Sequence, residues 1–86
     1  MIDPFLSRHL PQVKKACLNN NAMKLYAFGS IVDGRFILGK SDIDMLVEFD
    51  TKTHTKKENS RYLFKLWLEL KNIFKCKVDL LSLIHI

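Results

Sequence analysis

Phe28-Gly29-Ser30 and then, after eleven intervening residues, Asp42-Ile43-Asp44-Met45-Leu46-Val47-Glu48-Phe49 decide how this chain is read. Side chains alternate faces along a strand, so the second stretch projects Asp42 and Asp44 together while Ile43, Met45, Val47 and Phe49 turn into a core. Carboxylates held side by side repel and raise one another's pKa unless a cation lies between them. Hard oxygen donors of this kind suit magnesium, which is usually held by one or two carboxylates plus substrate phosphates. The Gly29-Ser30 turn ahead of them is phosphate-sized, and Gly29 permits close backbone approach. A third carboxylate, Asp79, lies in the run Lys77-Val78-Asp79-Leu80-Leu81. If that run pairs beside the first, Asp79 can share the sheet face of Asp42 and Asp44, and an aspartate inside an apolar strand is costly to bury without a metal or hydrogen-bond partner. A Gly-Ser pair or a DxD taken singly marks only a turn or a strand entrance; together they read as a metal-nucleotide site. Glu48 shares the parity of Asp44 but lies roughly 13 Å farther along, so it is expected to be a solvated edge residue. Lys77 has the parity of Asp79, and plain solvent exposure is expected over pairing with phosphate or aspartate.

Outward from these motifs the chain alternates. His9 to Leu18 reads as a helix, with Pro11 in its first turn, Leu10, Val13 and Cys17 at helical spacing, and Asn19-Asn20-Asn21 as the stop. Met23 to Phe28 reads as a strand that delivers the chain into Gly29. Ile31 to Phe36 reads as a short helix whose first amides face the phosphates, and Gly34 and Gly39 bracket a loop. The next strand runs from Asp42 or Ile43 to Phe49, and residues 50–57 form a polar connection. Asn59 to Phe74 is an amphipathic helix with Leu63, Leu66, Trp67, Leu70 and Phe74 on one stripe, and Lys77 to Leu83 is the last strand. A long helix between two strands is the crossover a parallel or mixed sheet requires. The expected fold class is therefore α/β (α+β), a small mixed sheet of three or more strands flanked by helices.

With 86 residues the chain makes one domain, 1–86, near the lower size for an unaided core. A partner or a second copy is expected to complete it, and the apolar ending from Leu80 to Ile86 points the same way. Fourteen basic against nine acidic residues leave a charge of +5. The lysines are scattered rather than blocked, which argues against a dedicated nucleic-acid patch. Cys17 and Cys76 show no CxxC spacing, and neither a leader nor a membrane-length apolar run is evident, so a cytoplasmic protein with reduced thiols is expected. Both cysteines read as small core residues, and His9, His54 and His85 lack ligand spacing.

Phe28-Gly29-Ser30, Ser41 to Phe49 and Lys77 to Leu81 together resemble the minimal nucleotidyltransferases of the DNA polymerase beta superfamily, over roughly residues 8 to 82. The resemblance implies a nucleotidyltransferase fold and an enzyme that moves a nucleoside monophosphate, AMP foremost, from a magnesium-bound NTP such as ATP to a hydroxyl. It implies nucleotide phosphates on Gly29 and Ser30, two magnesium ions on Asp42 and Asp44, and Asp79 completing the catalytic and metal-binding triad. It also implies an antitoxin whose partner is a helical HEPN-type toxin, silenced by nucleotide transfer to a toxin tyrosine. Two alternatives stay open: a degenerate copy that inhibits its partner sterically, and transfer to a small molecule, as in the aminoglycoside nucleotidyltransferases. The chain departs from the family in three places: one residue more between Ser30 and Asp42 than the commonest spacing, Asp33 where many members carry arginine, with Arg35 close enough to substitute, and an end soon after Asp79.

Overall fold

The computed structural model describes residues 4–49 and 55–83. Its elements are α1 (Pro4–Arg8), α2 (Leu10–Asn19), β1 (Ala22–Phe28), α3 (Ser30–Asp33), β2 (Ile43–Phe49), α4 (Lys56–Phe74) and β3 (Val78–Leu83). The strands form one mixed sheet in the order β1-β2-β3, with β1 antiparallel and β3 parallel to the central β2. The expected α+β fold, with a mixed sheet and a helical crossover, is the fold observed.

The alternation in β2 accounts for the core. Ile43, Met45, Val47 and Phe49 are all buried, and α2 and α4 cover that face with Val13, Ala16, Leu66, Leu70 and Phe74. Trp67 on α4 donates its indole N–H to the Val78 carbonyl at 2.8 Å, which ties the crossover helix to the start of β3. The opposite sheet face is partly open, and Tyr26 and Phe28 lie 43% and 41% exposed on it.

Four local expectations need correction. An extra turn, α1, precedes the first helix, and His9 sits between the two as a cap, its Nδ1 2.8 Å from the Phe5 carbonyl and its ring against Phe5 and Phe74. α3 is a single turn because Gly34, at φ 87°, ends it in the left-handed region where glycine stops a helix at little cost. α4 begins at Lys56, three residues before the expected start. Thr55 and Glu58 form a reciprocal capping box, with the Glu58 amide donating to Thr55 Oγ1 at 3.2 Å and the Thr55 amide to Glu58 Oε1 at 3.2 Å. Glu48 is buried at 8% exposure rather than solvated. The reason is topological: β2 is the central strand, and Glu48 stands between Lys24 of β1 and Leu83 of β3, with the Tyr26 hydroxyl 3.4 Å from its carboxylate. Most of the polar connection, residues 50–54 with His54, lies outside the described residues, as does His85.

Removing the cap tests how much of α4 depends on it. Thr55→Ala is expected to cost about 1 kcal/mol, a fall in Tm of about 4–8 °C for a domain of this size by thermal circular dichroism. An unchanged Tm would show that packing of α4, not its cap, holds the helix start.

Candidate active site

Strand register builds the site. Phe28 pairs with Asp44 across β1 and β2, and Asp44 pairs with Asp79 across β2 and β3. The turn at Gly29 therefore falls beside Asp44, and Asp79 stands on its other side. Gly29 has φ 75° and ψ −145°, and a Cβ there would lie 2.7 Å from Asp44 Oδ2. The glycine is needed twice, for its backbone conformation and for the space the carboxylate occupies. Ser30 follows as the first residue of α3, half-buried beside the same carboxylate row. The Gly29 carbonyl accepts from the amides of Val32 and Asp33 at 3.1 and 3.2 Å, which closes the turn.

Asp42 arrives from a loop that is internally tied. The Ile37 carbonyl accepts from the amides of Lys40 and Ser41 at 3.0 and 2.8 Å, and the Ile37 amide donates to Ser41 Oγ at 3.0 Å. Asp42 then precedes the first paired residue of β2, with Lys77 opposite. The Ile43 amide donates to the Lys77 carbonyl at 3.0 Å, and Lys77 Nζ lies 3.8 Å from Asp42 Oδ2.

Electrostatics reflect the crowding of acids. Burial, then the charges of Asp79 and Asp42, then a carboxyl hydrogen bond with Asp79 push the Asp44 pKa above the ordinary carboxylate range. Like charges this close favour keeping one of them protonated until a cation arrives. Among the described residues no three metal-ligating side chains close into a preformed cage. The donor set is nonetheless all hard oxygen, and it suits an ion that draws its remaining ligands from phosphates.

A family model described as polymerase beta, nucleotidyltransferase matches residues 11–86. The chain belongs to this nucleotidyltransferase family. No curated protein and no solved structure matches it significantly.

Within this nucleotidyltransferase domain the structure brings Gly29, Ser30, Asp42, Asp44 and Asp79 to one end of the sheet. It does not bring Arg35 there as a free cation. Arg35 donates from Nε and Nη2 to Asp33 Oδ2 at 2.9 and 2.6 Å, and from its backbone amide to Asp33 Oδ1 at 3.2 Å. The side-chain hydrogen bond from Arg35 holds the Asp33 carboxyl below its usual range. The Asp33-Gly34-Arg35 order already contained this pairing, since residues two apart around a turn reach one another. Lys77 is highly exposed, as expected, yet it also pairs with Asp42. That contact was not legible locally, because it depends on how β3 aligns with β2. Cys17 and Cys76 are half-buried free thiols. Burial pushes both pKa values up, reinforced by Glu69 at Cys17 and by Asp42 at Cys76. They are placed as neutral core groups rather than nucleophiles. Among the described residues no helix is long and apolar enough to cross a membrane.

Proposed function

We propose that this domain transfers a nucleoside monophosphate, AMP foremost, from a magnesium-bound NTP to a protein hydroxyl, with a HEPN-type helical protein as acceptor and partner. The observation that carries the chemistry is the register row Phe28–Asp44–Asp79 with Gly29 packed under the Asp44 carboxylate. The nature of the acceptor rests on the resemblance to the minimal nucleotidyltransferases.

In this reading Gly29 lets the nucleotide's phosphates approach the backbone, and the Ser30 hydroxyl donates to a phosphate oxygen. Asp42 and Asp44 would hold magnesium, with Asp79 as the third acidic group, and an ion held there would supply positive charge to offset that on the reacting phosphate and the departing pyrophosphate. Asp79, the most exposed of the three along β3, orients the acceptor hydroxyl and accepts its proton at a carboxylate oxygen. The hydroxyl oxygen bonds to the α phosphorus as the bond from that phosphorus to pyrophosphate breaks. Catalysis is then mainly positioning and electrostatic stabilisation. Two half-buried free thiols support a cytoplasmic location.

A second reading has an observation of its own. Asp33 replaces the arginine of many relatives, and it also neutralises Arg35, which favours a copy that binds its partner without turnover.

The deciding experiment supplies α-labelled ATP and magnesium with host lysate or a co-encoded helical protein. A labelled protein band supports transfer and identifies the acceptor by mass. A folded protein that binds its partner and labels nothing favours the non-catalytic reading.

A further inference from the structure

We infer that the nucleoside of the bound nucleotide lies on the open sheet face beside the acidic row, its ribose over Leu46 and its base stacked on the Tyr26 ring. The inference rests on the nucleotidyltransferase reading above and adds the seat of the base to it.

The direction of transfer limits where the nucleoside can go. In that reading the departing phosphates lie at the Gly29-Ser30 turn after β1, and the acceptor hydroxyl lies at Asp79 on β3. The bonds that break and form therefore run across the strands, along the Phe28–Asp44–Asp79 row. Entering and leaving oxygens stand roughly in line through the reacting phosphorus. The ribose oxygen is consequently to the side, and the nucleoside has to leave the row. One direction leads back over Asp42, where a base would cover a carboxylate and the Lys77 ammonium 3.8 Å from it. The other leads along the strands.

In that second direction the next residues on the same face are Tyr26, Leu46 and Leu81, which form a register row of their own: Tyr26 pairs with Leu46, and Leu46 with Leu81. Two residues along a strand span about 7 Å, the reach of one ribose from the α phosphorus. The row is apolar and open, with Tyr26 43% and Leu81 57% exposed and Leu46 half-buried between them. Leu81 belongs to β3, the side the acceptor needs, which leaves Tyr26 for the base. The Tyr26 hydroxyl donates to Glu48 Oε2 at 3.4 Å, and Glu48 is buried, so the ring is tethered at its tip. An aromatic side chain placed this way stacks on a base without reading its edges.

Calorimetric titration with magnesium present separates the base from the phosphates. ATP and inorganic tripolyphosphate are each titrated into the wild type, Tyr26→Ala, Tyr26→Leu, Tyr26→Phe and Leu81→Ala, with folding checked by circular dichroism. Loss of one base–aromatic stack predicts about tenfold weaker ATP binding in Tyr26→Ala, with tripolyphosphate binding unchanged because it carries no base. Tyr26→Leu keeps an apolar side chain in the strand and tests the same loss where Tyr26→Ala unfolds. Tyr26→Phe and Leu81→Ala should each hold ATP affinity within about twofold of wild type. Wild-type ATP affinity in a folded Tyr26→Ala or Tyr26→Leu variant overturns the inference and gives that face to the protein acceptor or a second copy. An equal loss for ATP and tripolyphosphate overturns it too, as does a loss in Leu81→Ala as large as in Tyr26→Ala. A wild type that binds neither ligand overturns the nucleotidyltransferase reading, and this inference with it.

Discussion

Asp44→Asn is expected to lower nucleotide transfer by about three orders of magnitude while leaving the fold intact and the metal-free protein slightly more stable. Both halves come from the same geometry. Asp44 is the central member of the acidic row, paired with Asp79 on one side and set against Gly29 on the other. An amide there keeps the size of the side chain, so Gly29 and Asp79 retain their neighbour. It removes the negative charge on which binding of a cation and its triphosphate depends. The stability gain follows from the raised pKa. Burial and the neighbouring acids make the folded chain hold the Asp44 proton more tightly than the unfolded chain does. That contribution is fully present below the unfolded pKa and is lost as pH rises through the folded one. The metal-free wild type should therefore lose stability from about pH 4 toward neutrality, and the Asp44→Asn variant should lose less. Because Asp44 is partly exposed, solvent screening limits the difference at neutral pH to about 0.5–1 kcal/mol. Melting curves across pH in EDTA, beside an α-labelled ATP assay, check both halves. Transfer within about tenfold of wild type would remove Asp44 from the mechanism.

Gly29→Ala should show the opposite pairing, a loss of transfer together with a loss of stability. At φ 75° and ψ −145° the backbone lies near a region that is almost exclusively glycine's, and a side chain there costs about 1–3 kcal/mol. The new methyl carbon would also stand 2.7 Å from Asp44 Oδ2, with the Asp44 Cγ and Cβ at 3.6 and 3.7 Å. The carboxylate has to move, and its placement level with Asp79 is disturbed with it. A fall in Tm of about 4–8 °C per kcal/mol is expected, with transfer reduced toward the level of Asp44→Asn. Gly34→Ala is the control. It shares a positive φ, 87°, but nothing lies within 4 Å of its Cβ position. It should lose about 1 kcal/mol and keep its activity. If Gly29→Ala and Gly34→Ala prove equal in both respects, the close approach to Asp44 has no functional weight.

The parts of this site that could be read in the chain are those set by near neighbours. The face shared by Asp42 and Asp44 follows from the two-residue period of one strand, and the core positions Ile43, Met45, Val47 and Phe49 follow from the same period. The turn at Gly29-Ser30 sits at the end of an alternating run, so its place was legible too. The Thr55-x-x-Glu58 box and the Asp33–Arg35 pair are equally local, each joining residues two or three apart in the chain. α1 carried too few apolar repeats to announce itself, and its Phe5 and Leu6 are held by contacts with the rest of the core.

Residue order alone thus determined that a glycine turn, two same-facing aspartates and a crossover helix leading to a third aspartate would occur in one small sheet. Only the tertiary structure decided that Asp79 stands level with Asp44 instead of two residues away, that Lys77 faces Asp42, and that Glu48 is buried in a central strand. The physical reason is that register between strands separated by α4 is not encoded in either strand. It is set where Leu66, Leu70 and Phe74 pack onto β2 and where Trp67 bonds the Val78 carbonyl, and a slip of one residue there would turn every side chain of β3 to the other face.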